Sequence, residues 1–260
     1  MRSLDDIRAA LRSSYSQFEA LCAGLRDAEW TTQSLCPEWN VADVVKHVTS
    51  IEAVMAGWLP EDTTTPPPFE KAAEFLAGTE DTAVLVDKVH AVYDRRRGDL
   101  AALTDADLQR SSWMPVGPGT YGRFLEIRVF DFWVHERDIT TPLGRSTDDG
   151  TLTAEMSLAE VEGSIGYIVG KKIGLPEGKS LAIQLTGPVK RDINVRVDGR
   201  AQRVEHLDAP DTTLTTDSTT FIQLACGRID PQTQIDSGAV SWTGDDEIGD
   251  RAARNLRFTM

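Results

Sequence analysis

The chain has 260 residues, 40% hydrophobic and 26% charged, the balance of a globular protein long enough for two ordinary domains. Its net charge of −14 repels phosphate backbones and anionic lipid, which argues against nucleic acid and membranes as partners. A small anion could bind only where local cations override that field.

The first stretch, "MRSLDDIRAALRSS", is amphipathic with early acids and no long apolar run, so it does not read as a secretory signal. Leu4, Ile7, Leu11, Tyr15, Phe18, Cys22 and Leu25 recur at steps of three and four, the stripe of a surface helix. A second helix is expected to open at Asn40, a good N-cap, with Asp43 favouring its start. Val41, Val44, Val45, Val48, Ile51, Met55 and Trp58 form its apolar face. The proline-rich "PEDTTTPPP" then breaks the chain and reads as a surface linker. A third helix is predicted from about Glu80 to Leu103, with Leu85, Val89, Val92 and Leu100 inward. A fourth, from about Tyr121 to Thr140, is apolar on nearly every side and suits the most enclosed position of a four-helix bundle.

A fifth helical stretch, about Leu152 to Lys171, bridges to a different pattern. "LAIQLTG", "INVRVDG", "DTTLTTD" and "AVSWTG" alternate as strands. "STTFIQLACG" reads as a short helix with a glycine stop, and "DDEIGDRAARNL" as a closing helix with an acidic first turn. The predicted organisation is a helical bundle over 1–150, a bridging helix and linker over 151–178, and a small α+β domain over 179–260. Cys22, Cys36 and Cys226 are too scattered for a disulfide framework or a CxxC metal motif, which suits a reducing cytoplasm.

The chemistry concentrates in "FDFWVHERDI", residues 130–139. Asp131 and His135 stand four apart on one helix face, and His47 lies at the edge of the second helix's apolar face. Two imidazoles and a carboxylate on facing helices can hold a divalent ion and leave it an open position. The same residues also admit a plain Asp–His ion pair and a hydrogen-bonded core histidine. His90 is a rival ligand off its helix's stripe, and His206 reads as a surface residue. Cys36 precedes a helix start, which would lower its pKa, but without an evident base it reads as a buried structural thiol. Trp30, Trp39 and Trp58 read as bundle packing, while Trp133 fits packing and the mouth of a cleft equally well.

Three stretches, "CPEWNVADVVKHV", "RVFDFWVHERDI" and "TFIQLACGRID…GDDEIGDRAARNL", carry a further signal. Together, and in this order, they resemble the mycothiol-dependent maleylpyruvate isomerase family. That resemblance implies a DinB-like four-helix bundle followed by a sterol-carrier-like α+β domain. It implies a divalent metal, zinc first, held by His47, Asp131 and His135, with Asp131 standing where the family's isomerase has glutamate. It also implies an arginine reaching a cleft from the second domain, for which Arg228 in "ACGRID" is the best match. Capping of a helix C-terminus is the plainer role for Arg228. Arg123 and Arg128 are further candidates for holding an anionic substrate, and Asp138 for orienting a ligand.

The implied activity is metal-assisted activation of a small thiol, mycothiol, for attack on a small electrophile. Addition to a double bond, rotation and elimination would give an isomerase; capture of an activated carbon would give an S-transferase. The competing expectation is a non-enzymatic protein that holds an apolar ligand in its sterol-carrier-like domain.

Overall fold

The computed structural model describes residues 2–258, in two compact units that divide between Thr147 and Asp148. The helix expected as a bridge belongs to the second unit. Among the described residues no helix is long and apolar enough to cross a membrane.

The first unit is built on α1 (Leu4–Ala23), α2 (Val41–Met55), α3 (Thr82–Ala102) and α4 (Tyr121–Thr140). Each begins at a side chain that accepts a hydrogen bond from the first turn: Ser3, Asn40, Asp81 and Thr120. α1 packs on α3 and α4, and α2 packs on the same two. Hence α1 and α2 oppose each other across the bundle, and α4 is flanked by both. The apolar stripes read from the sequence are buried except at Leu25, Ile51 and Trp58, which are half-buried, and an aromatic cluster fills the centre. Tyr15 stacks on Tyr93 at 4.9 Å, and Phe132 meets both rings edge-on at 5.3 and 5.7 Å.

One feature of this core is polar. Glu52 on α2, fully buried, accepts from Tyr15 Oη of α1 at 2.8 Å, Arg96 Nε of α3 at 2.8 Å and Arg128 Nε of α4 at 2.9 Å. Burial alone would raise the Glu52 carboxyl, but Arg96 and Arg128 bring it below its ordinary value. Each of the four helices thus contributes one residue to one carboxylate. The segment expected as a linker, 60–68, holds neither helix nor strand; a 3-10 turn at Phe69–Lys71 and a short helix at Ala72–Leu76 follow it.

The second unit begins with α5 (Leu152–Gly163), shorter than expected because the helix breaks at Ser164 and continues as one α-helical turn, Ile165–Tyr167, and a wider π-helical stretch, Ile168–Ile173. Its five-stranded sheet comprises β1 (Ser180–Thr186), β2 (Arg191–Asp198), β3 (Arg200–Val204), β4 (Thr212–Asp217) and β5 (Val240–Gly244). The order is β3-β2-β1-β4-β5, with β1 and β4 parallel and the other pairs antiparallel. α6 (Ser218–Ala225) follows β4, and α7 (Asp246–Arg254) closes the chain against β5. α7 rides so close that a Cβ at Gly249 would lie 2.1 Å from the Trp242 ring.

Two outcomes are expected in denaturant titrations. Glu52→Gln removes the carboxylate that two buried guanidiniums share, leaving Arg96 with Asp99 and Arg128 with Asp131 as acidic partners, and should cost about 3–5 kcal/mol. Because the folded pKa of Glu52 is depressed, its contribution is complete above the unfolded value, about 4.3, and fades as the pH falls below it. The acid-dependent part of the stability should therefore shrink in Glu52→Gln. Gly249→Ala should cost about 1–3 kcal/mol by forcing α7 off Trp242; unchanged midpoints would contradict either argument.

Candidate metal centre

The capping box at the start of α2 fixes where His47 falls. Asn40 Oδ1 accepts from Asp43 N at 2.9 Å, and Asp43 Oδ2 accepts from Asn40 N at 3.1 Å. Two turns on, His47 faces α4, where Asp131 and His135 share one face. Ligand atoms of His47, Asp131 and His135 all lie within 4.8 Å of one another, and the two imidazoles meet edge-to-face at 5.0 Å.

Each of these groups is held by a second residue. Arg128 Nη1 donates to Asp131 Oδ2 at 2.8 Å, leaving Oδ1 3.6 Å from His135 Nε2. The other side of the His135 ring belongs to Asp138, fully buried, whose Oδ2 lies 2.8 Å from Nδ1. A proton on Nδ1 shared with that carboxylate leaves Nε2 as a lone pair facing Asp131. Cys36 Sγ donates to the same Asp138 oxygen at 3.0 Å and lies 3.9 Å from His135 Nδ1. Cys36 is buried and its thiol is engaged by the Asp138 carboxylate, which agrees with a structural role.

The electrostatics suit a cation. Burial is the main influence on His47 and lowers it to about 4, with Asp131 opposing. Burial would raise Asp131, but Arg128, then His135 and His47, hold it at about 2. At neutral pH the group is therefore a neutral His47 imidazole and an ionised carboxylate, with His135 oriented by Asp138. These are the donor states that divalent metal binding requires, and the residues fit such an ion.

The other candidates lie elsewhere. His90 is exposed and faces Glu19 at 3.3 Å, and His206 is exposed beside Asp208 at 3.2 Å. Arg123 lies near Glu126, on the first turns of α4. Arg128 is turned into the interior, between Glu52 and Asp131. Arg228, in the second unit, donates through Nη1 to Cys226 O at 3.1 Å just beyond α6, the geometry of a helix-end cation. Trp133 is buried, with the Arg137 guanidinium 3.7 Å above its ring.

Trp39 departs from the expected packing role: it is half-buried and lies 4.9 Å from the His47 ring. Its position in a turn outside the helical stripes hid that contact. Glu52 and Arg96 were also missed, although each is a charge set into an apolar stripe, Glu52 between Val48 and Met55 and Arg96 between Val92 and Leu100.

Comparison with known proteins agrees with this architecture. No protein of curated function matches the sequence. The crystal structure of the mycothiol-dependent maleylpyruvate isomerase is 17% identical, covers 99% of this chain and 98% of its own, and superposes with a TM-score of 0.62. A histidine-to-alanine variant of that enzyme gives the same score and coverage at 16% identity. At such identity the likeness is one of fold: a four-helix bundle followed by an α+β domain. The SCP-2 sterol transfer family matches residues 174–256, which span the sheet and its helices. The mycothiol maleylpyruvate isomerase N-terminal domain matches residues 11–140, half of the chain and all three converging side chains, and the protein belongs to that family.

Proposed function

We propose that the protein is a metal-dependent enzyme that activates mycothiol for attack on a small electrophile, as a maleylpyruvate isomerase-like or S-transferase activity. The reading is carried by one observation: His47, Asp131 and His135 bring two imidazoles and a carboxylate within 4.8 Å of one another on adjacent helices. Those three residues would hold the divalent ion, for which zinc suits an N,N,O donor set. A divalent cation there would stabilise a thiol as its thiolate at neutral pH.

The chain's own residues set the conditions for that chemistry. Asp138 Oδ2, 2.8 Å from His135 Nδ1, favours the tautomer whose Nε2 is free toward Asp131. Arg128 holds one Asp131 oxygen and leaves the other free to serve as a ligand. Arg128 also draws negative charge away from Asp131, which favours binding of an anionic sulfur over a neutral ligand. Arg228 is proposed as the arginine that meets a substrate carboxylate. Asp131, shorter by a methylene than glutamate, reaches less far from α4, so a bound ion would lie nearer that helix or the helices would close up around it.

A second reading is favoured by the match of residues 174–256 to the SCP-2 sterol transfer family: binding of an apolar ligand by the second unit, with the bundle as scaffold. The two separate on one variant. The wild-type protein should retain about one zinc ion per chain after dialysis, and His47→Ala should retain a small fraction of that with its helical circular dichroism intact. Equal zinc in both proteins, or none in either when zinc is offered, would remove the metalloenzyme reading.

Isomerase and transferase separate by mass balance. The zinc-loaded protein is incubated with mycothiol, glutathione or bacillithiol and either maleylpyruvate or an activated halide. Product with the thiol pool unchanged is expected of an isomerase, and stoichiometric thiol loss of a transferase. No product with any thiol would overturn both.

A further inference from the structure

Among the tryptophans, Trp39 has a placement that core packing does not explain. Trp30 and Trp133 are buried, and Trp39 is half-buried like Trp58, Trp113 and Trp242, but Trp39 lies beside the donor imidazoles. Its ring lies 4.9 Å from His47 and 6.5 Å from His135, the latter nearly parallel at 28°. The turn that carries it is unusually constrained. Glu38 adopts φ 66°, a left-handed conformation unfavourable for any residue with a Cβ. Gln33 Nε2 donates to the carbonyls of Ser34, Cys36 and Trp39 at 3.1, 2.9 and 2.9 Å. Ser34 Oγ donates to Trp39 O at 2.7 Å, and Leu35 N donates to the Asp138 carbonyl at 3.0 Å. Strained backbone persists where surrounding bonds over-determine it, and here they fix an aromatic face beside a donor set.

We infer that Trp39 is a specificity-determining wall of the ligand pocket, against which the carbon skeleton of the incoming thiol lies. This rests on the proposed function and goes beyond it by naming the surface that selects the ligand. The indole face is apolar, polarisable and electron-rich. It favours C–H groups and sulfur and disfavours carboxylates, so the part of the ligand over Trp39 is neutral, and any carboxylate points away from it.

The test uses the intact protein loaded with cobalt(II), whose thiolate complexes absorb in the near ultraviolet, titrated with mycothiol. Trp39→Ala should weaken thiol binding by about fivefold and Trp39→Phe by less than about twofold, with cobalt stoichiometry unchanged in both. A purely structural Trp39 would instead alter folding or cobalt content and leave the thiol affinity of the loaded protein alone. Unchanged thiol affinity in Trp39→Ala with full cobalt overturns the inference while the metalloenzyme reading stands. Absence of cobalt or of a thiolate band in the wild type overturns both. Should Trp39→Ala fail to fold, Trp39→Leu must still bind thiol more weakly than Trp39→Phe.

Discussion

The bundle turns on a single buried carboxylate. Glu52 receives a phenol and two guanidiniums, one from each of the other three long helices, in a centre otherwise filled by aromatic rings. Taking these charges out of water is costly, and such a cluster seldom adds net stability over an apolar core of equal volume. What it adds is register. A helix that slid by one turn would leave a charge in the interior without its partner, a loss of several kcal/mol. Apolar stripes alone tolerate such slips far better. The relative heights of α2 and α4 are thereby set, and with them the meeting of His47 with Asp131 and His135.

That constraint reaches the site through one side chain. Arg128 spends Nε on Glu52 and Nη1 on Asp131, so the core carboxylate and the ligand carboxylate share a cation. On the far side, His135 belongs to two groups at once, with Nε2 toward Asp131 and Nδ1 toward Asp138 and Cys36. The donor atoms are therefore positioned from both flanks before any ligand arrives, and the arrangement is one of prior organisation.

Much of this was legible in the sequence, for reasons particular to each residue. Asp131 and His135 stand four apart on a helix, and His47 borders an apolar face, so helical geometry alone could nominate them. The order of the two folds followed from a change of period, from steps of three and four to alternation after Lys179. Glu52 left only a weak mark as a charge within an apolar run, Arg96 is masked by its charged neighbours in "DRRRGD", and Arg128 read only as a cation for a substrate. Their meaning lies in meeting one another across long sequence separations. Trp39 was hidden because a left-handed Glu38 leaves no signature when the residue is not glycine. β3 escaped notice because "RAQRV" has no apolar alternation to read.

That last strand has a consequence for how the sheet meets its surroundings. Among the described residues β3 pairs only with β2 and forms one border of the sheet, where unpaired backbone groups invite another chain to add itself. Residues 165–173 pack against this border, so near that a Cβ at Gly166 would stand 3.0 Å from the Ala201 carbonyl oxygen. Arg200, Gln202 and Arg203 stand exposed along it, and Arg203 is drawn to Glu162. An intruding strand would have to displace that segment and strip water from those side chains, so the border that looks least like a strand is guarded against unwanted polymerisation.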